Sequence, residues 1–107
     1  MSSTKIAQLQ LLQQNLQNII SQKQQMDSQL VELDSALAEL KTTPQAYRIV
    51  GKLMIAVSKE SLFSELQREK EVVEIRVKKF SQQQEKLKSQ IDETQREVVS
   101  ELKKEKK

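Results

Sequence analysis

The stretch "YRIVGKLMIAV", Tyr47–Val57, decides the fold. It holds the only glycine and the only tyrosine of the chain, and long tracts of Gln, Lys, Glu and Leu flank it. Tyr47, Ile49, Leu53, Ile55 and Val57 supply β-branched, aromatic or aliphatic side chains at period two, and Val50, Met54 and Ala56 occupy much of the other face. Gly51 with Lys52 fits a two-residue turn in which glycine provides a positive φ at the first central position. These features predict a β-hairpin over about residues 46–58, with strands near Ala46–Val50 and Leu53–Ser58. One short apolar helix or a plain connector is the alternative. A connector between two helices needs only about two to eight residues, so the extra apolar length argues for a purpose.

Outward from the hairpin the period changes. From Leu9, the positions Leu9, Leu12, Leu16, Ile19, Lys23, Met26, Leu30, Leu33, Leu37 and Leu40 step by three and four in strict alternation. These are the a and d positions of a heptad repeat, with Lys23 as the single polar break. The helix, expected over about 5–41, ends there because Pro44 pushes Thr43 out of the α region. A second series runs Phe63, Leu66, Lys70, Val73, Val77, Phe80, Gln84, Leu87, Ile91, Thr94 and Val98. It places a helix over about 59–104, with Ser58 as N-cap and Glu60 in the first turn, where the helix dipole favours an anion.

One reversal of the chain at Gly51–Lys52 sets the two series against each other. Leu40 then faces Phe63, Leu37 faces Leu66, Leu30 faces Val73, Met26 faces Val77, Leu16 faces Leu87 and Leu12 faces Ile91. Every a position meets a d position, the layering of an antiparallel two-helix coiled coil. The layers nearer the hairpin are mostly apolar on both sides. Lys23 against Phe80, Ile19 against Gln84 and Leu9 against Thr94 are mixed, which predicts a looser coil toward the termini. The expected fold is mainly α: a long antiparallel coiled coil with one central β-hairpin, as a single domain over 1–107.

Composition narrows the function. The chain has 107 residues, of which 36% are hydrophobic, 31% charged and 3% aromatic. Aromatic poverty with abundant Gln, Lys, Glu and Leu suits long helices better than a packed globular core. It has no cysteine and no histidine, which removes disulfides, thiol chemistry and the commonest general base. The carboxylates Glu32, Asp34, Glu39, Glu65, Glu69 and Glu71 fall on helix surfaces among cations, and no Gly-rich phosphate loop occurs. Neither an enzyme nor a cofactor is expected. The apolar run Leu53–Val57 is far too short to cross a bilayer, and "MSSTKIAQLQLLQQ" lacks an apolar signal-peptide core. A soluble cytoplasmic protein is therefore expected. Net charge is +3 and the pI about 9.2, but the signs are interleaved except in the terminal "KKEKK", so nucleic acid is not the expected partner.

A lone two-stranded hairpin is marginal in water and leaves both edges unpaired. With apolar residues on two faces, its physical remedy is to pair with hairpins of other chains in a larger sheet or barrel. Tyr47, Ile49, Val50, Gly51, Leu53, Met54, Ile55 and Val57 are the expected oligomerisation residues.

The residues carrying this reading also resemble a known family. Gln45-Ala46, Tyr47, Val50, Gly51, the strand Leu53–Val57, Lys59–Glu60 and Leu66, set between two heptad helices, resemble the β-class subunits of prefoldin, most closely in their archaeal form. The resemblance spans nearly the whole chain and is most specific in the hairpin. It implies one hairpin per β-class subunit and a double β-barrel joining two α and four β subunits. Six coiled coils hang from that platform. Their tips hold unfolded proteins without ATP and deliver them to a group II chaperonin. The short "KKEKK" end departs from subunits that carry an extended tail; it would meet an acidic chaperonin or client surface, or simply suit the helix dipole.

For client binding the sequence offers apolar residues close to both termini. Leu11 and Val99 lie off the seam at c and b positions, Ile6 and Leu102 at e positions, and Leu9, Leu12 and Val98 in the seam itself. Single exposed apolar residues are also ordinary on protein surfaces. The rival readings are a structural coiled-coil scaffold that uses the hairpin only to oligomerise, and a basic coiled-coil nucleic-acid binder.

Overall fold

The computed structural model describes residues 2–105. In chain order it has helix α1 (Ser2–Thr42), strand β1 (Ala46–Val50), strand β2 (Leu53–Val57) and helix α2 (Lys59–Glu105). The expected elements are present, and the alternative of an apolar helix or plain loop at 46–58 is set aside. The terminal Lys106 and Lys107, part of the basic end, lie outside the described residues.

Local chemistry sets each boundary. α1 ends where Pro44 follows Thr43: the Thr43 amide donates to the Glu39 carbonyl at 3.0 Å. The Thr43 and Thr42 hydroxyls add bonds to that same carbonyl at 2.7 and 3.2 Å, and Lys41 sits in the last turn, where the helix dipole favours a cation. Ser58 caps α2: its Oγ accepts from the Ser61 amide at 3.3 Å, and its carbonyl accepts from the Leu62 amide at 3.0 Å. β2 therefore stops at Val57, one residue short of the expected Ser58. Gly51 has φ of 61°, and it is the only described residue with positive φ. A glycine at that position gives the turn a twist matching the strands it joins.

The strands pair antiparallel as Ala46↔Val57, Tyr47↔Ala56, Arg48↔Ile55, Ile49↔Met54 and Val50↔Leu53. Directly opposed residues share a face. One face thus carries Ala46, Arg48, Val50, Leu53, Ile55 and Val57, and the other carries Tyr47, Ile49, Met54 and Ala56. This corrects the grouping expected from period two, which put Tyr47 and Ile49 with Leu53, Ile55 and Val57. A two-residue turn pairs odd-numbered with even-numbered positions, so parity changes across it.

The chain divides into two compact units, residues 25–77 and residues 1–24 with 78–107. In the first, the seam residues Leu33, Leu37, Leu40 and Val73 are buried, and Met26, Leu30, Phe63, Leu66 and Val77 are half-buried. Ala46, at 5% exposure, joins this core from the hairpin. Lys70 occupies a seam position but turns its Nζ out to Asp34 Oδ1 at 2.8 Å, beside Leu33, the residue that the antiparallel register sets opposite Lys70. The hydrogen bond to Asp34 holds the Lys70 ammonium above its usual pKa of 10.5. Its contribution is therefore complete below the ordinary lysine range and lost only as pH rises through the elevated value.

In the second unit, Leu9, Leu12, Leu16, Ile19, Phe80, Gln84 and Leu87 are half-buried, as is the polar break Lys23. Ile91, Thr94 and Val98 are buried, the last two at 7% and 8% exposure. Burial does not follow the expected loosening toward the termini. Threonine is as compact and β-branched as valine, so the layer at Thr94 closes despite its hydroxyl. An ion pair between Lys5 and Glu97 also crosses between the helices here.

Nothing lies within 4 Å of a Cβ built on Gly51, so replacing it strains only the backbone. Gly51→Ala should cost about 1–2 kcal/mol of stability in urea unfolding, and Gly51→Asn should recover part of that, because asparagine tolerates the left-handed region. Equal stability of the alanine variant and the parent would show that the turn is not held in this conformation.

Candidate functional site

Two surfaces stand out, and they are apolar rather than catalytic. The first is the hairpin. Its two strands form a two-stranded sheet, so each has an open edge of backbone donors and acceptors. Tyr47, Ile49, Val50, Leu53, Met54 and Ile55 are all exposed, Ile49 and Met54 reaching 70% and 67%. Gly51 is exposed at the turn and Val57 is half-buried. The face of Tyr47, Ile49, Met54 and Ala56 carries no charge, and all four residues on it are exposed. The opposite face is tied to the unit at its base. Ala46 is buried there, and the Arg48 guanidinium donates to the Glu65 carboxylate on α2. The sequence marked Ala46 as a strand start and as part of the family resemblance but not as a core residue, and it did not pair Arg48 with Glu65. A small residue at the first strand position and a cation inside an apolar strand were the available signals.

The second surface lies in the unit that carries both termini. The seven residues expected to contact clients separate into two groups. Ile6, Leu11, Val99 and Leu102 are exposed, Leu11 the most at 57%, and they lie off the helix–helix seam. Leu9 and Leu12 are half-buried and Val98 is buried, so these three belong to the closed seam. An open groove in the same unit has the apolar Ile19 and Leu87 among the amides of Asn15, Asn18, Gln22, Gln83 and Gln90, with Lys86, and holds no acid–base constellation.

Sequence reasoning missed three further exposed apolar side chains, Val31, Val72 and Ile75, in the unit that carries the hairpin. They occupy b, c and f heptad positions, and that off-seam placement was the signal that could have found them. Among the carboxylates, Asp34 pairs with Lys70 and Glu65 with Arg48. The described residues include no group of three or more His, Cys, Asp or Glu side chains placed to hold a metal ion. Among them, no helix is long and apolar enough to cross a membrane.

An unpaired apolar hairpin between two heptad helices is the arrangement that comparison with known proteins identifies. The family described as "Prefoldin subunit" matches residues 3–105. The chain belongs to the prefoldin subunit family. It is 38% identical over 97 residues to a protein named prefoldin subunit beta from Archaeoglobus fulgidus, covering 87% of this chain and 83% of that one. A prefoldin subunit beta from Sulfolobus acidocaldarius is 36% identical over 98 residues, covering 89% of this chain and 78% of its own length. The crystal structure of the prefoldin beta subunit from Thermococcus strain KS-1 superposes with a TM-score of 0.85 at 30% identity, over 94% of this chain and 91% of that one. The chain is thus a member of a chaperone family whose subunits associate with other prefoldin subunits.

The division of the terminal residues has a thermodynamic signature. Leu11→Ser and Val99→Ser should each leave stability within about 0.5 kcal/mol, while Val98→Ala should cost roughly 1–3 kcal/mol in chemical denaturation. A large loss from Leu11→Ser would show that its side chain is buried in solution.

Proposed function

We propose that this prefoldin-family chain is a β-class subunit of a hexameric, ATP-independent holdase. In this reading its hairpin joins those of two α-class subunits and further β copies in a β-barrel. The chain then acts as a single prefoldin-type domain. The helix ends bind unfolded proteins and deliver them to a group II chaperonin in the cytoplasm. No catalytic step and no cofactor enter this reading.

One observation carries it: six large apolar side chains stand exposed on a two-stranded sheet with two open edges. Such a sheet is not stable alone in water, and pairing with other hairpins satisfies edges and faces together. The names and coverage of the archaeal relatives support the β-class assignment. Ile6, Leu11, Val99 and Leu102 supply apolar surface without a fixed pocket, which suits clients of varied sequence.

The scaffold reading also has an observation in its favour. The buried Ile91, Thr94 and Val98 make the seam near the termini tight, as a tether requires. The half-buried layers of Leu16, Ile19, Phe80 and Gln84 and the exposed apolar residues weigh toward the holdase.

Two experiments separate these readings. Ile49→Lys with Met54→Lys should leave helix content intact by circular dichroism yet abolish the hexamer formed with an α-class subunit in native mass spectrometry. A hexamer surviving that double change would refute assembly through the hairpin. Replacing Ile6, Leu11, Val99 and Leu102 together by serine should keep the hexamer and lose suppression of aggregation of a denatured test protein without nucleotide. Full suppression by that variant would favour the scaffold reading of the helix ends.

A further inference from the structure

The seam changes chemistry beside its terminal apolar layers. The next seam position before Leu9 is Lys5, four residues earlier, and the next after Val98 is Glu101, three residues later. Both side chains are half-buried, and both replace an apolar knob with a charge, of opposite sign. The Lys5 ammonium crosses to α2 and pairs with the Glu97 carboxylate. That hydrogen bond raises the Lys5 pKa above its ordinary 10.5; burial pulls against it, and the charges of Glu97 and Glu101 add to the rise. One Glu101 carboxylate oxygen is shielded from solvent without a hydrogen-bond partner among the described residues.

Next to this cluster lie the buried Val98, Thr94 and Ile91 and the half-buried Leu9 and Leu12. The terminal layers are thus capped by a cation and two carboxylates rather than by further apolar residues. The difference is physical. An apolar cap holds through water exclusion and is not weakened by screening ions. A partly exposed ion pair is weak, with side chains here at 32% and 46% exposure, and mobile ions screen it. A shielded carboxylate oxygen without a partner weakens the closed state further.

We infer that Lys5, Glu97 and Glu101 form a releasable charge clamp across the helix ends, and that its release uncovers Leu9, Leu12 and Val98 for an unfolded polypeptide. This deepens the holdase proposal and rests on it for the identity of the ligand. The clamp regulates the client surface: closed, only Ile6, Leu11, Val99 and Leu102 are on offer; open, the seam residues join them. A client segment carrying its own charge beside apolar residues competes for Glu97 or Lys5 and opens the clamp as it binds.

The test is hydrogen exchange of backbone amides in residues 6–12 and 94–102, measured in the assembled complex. Lys5→Glu should raise exchange there several-fold, and Lys5→Glu combined with Glu97→Lys should restore it. Raising sodium chloride from about 50 to about 500 mM should speed exchange in the parent, while Lys5→Met should exchange more slowly and ignore salt. Equal exchange in the parent and Lys5→Glu, or failure of the charge swap to restore protection, overturns the clamp. Capture of a denatured fluorescent test protein is measured alongside. Faster capture by Lys5→Glu supports the link to clients. Unchanged capture despite faster exchange leaves the clamp standing and overturns client binding at these residues.

Discussion

A two-stranded sheet leaves two edges of backbone donors and acceptors without partners, and here it also leaves its apolar side chains without cover. Among the described residues β1 and β2 pair only with each other, and the hairpin is tied to the rest of the unit at its base, where Ala46 is buried, Val57 is half-buried and Arg48 pairs with Glu65. A helical connector would have satisfied its own backbone internally and needed no partner. The sequence instead places β-branched and aliphatic residues around Gly51. The hairpin is the turn that reverses the chain, and in the function proposed above it is also the surface that other chains complete.

The heptad seam meets a different constraint. It must hold two long helices in one antiparallel register while remaining weak enough at places to work. Lys23, Lys70, Gln84 and Thr94 interrupt it, and a polar residue at a seam position comes at some cost in stability. Lys70 illustrates the accommodation of a polar residue: it occupies a seam position while its ammonium reaches Asp34 on the other helix. The register itself is fixed by the two-residue turn, which sets Val50 against Leu53.

How far the sequence disclosed all this varies with the range of the interaction. The helices, the Ser58 cap, the stop before Pro44 and the Gly51 turn depend on neighbours a few residues apart, and each is where those neighbours put it. The seam was legible for the same reason, since a three–four spacing is a local pattern. The hairpin faces were not, because strand parity depends on how the turn pairs odd with even positions. The burial of Thr94 and Val98 was missed for another reason. A mixed layer closes where its polar member is as compact as threonine, and that depends on side-chain size as well as polarity. Val31, Val72 and Ile75 carry no local pattern that sets them apart, because single apolar residues off the seam are ordinary on helix surfaces.

The two apolar surfaces also differ in what each can bind. On the hairpin, main-chain groups at open edges demand a partner of fixed geometry, another strand, and the uncharged face of Tyr47, Ile49, Met54 and Ala56 demands a matching apolar face. That combination is selective. Ile6, Leu11, Val99 and Leu102 sit on helices whose backbone groups are already paired, so they offer only non-directional apolar contact. A surface without directional groups cannot discriminate among sequences, and weak contacts of that kind gain strength only when several act at once. In the proposed function the second surface therefore depends on the assembly that the first would build: four modest apolar side chains on one chain would hold little, and several such chains acting together would hold far more.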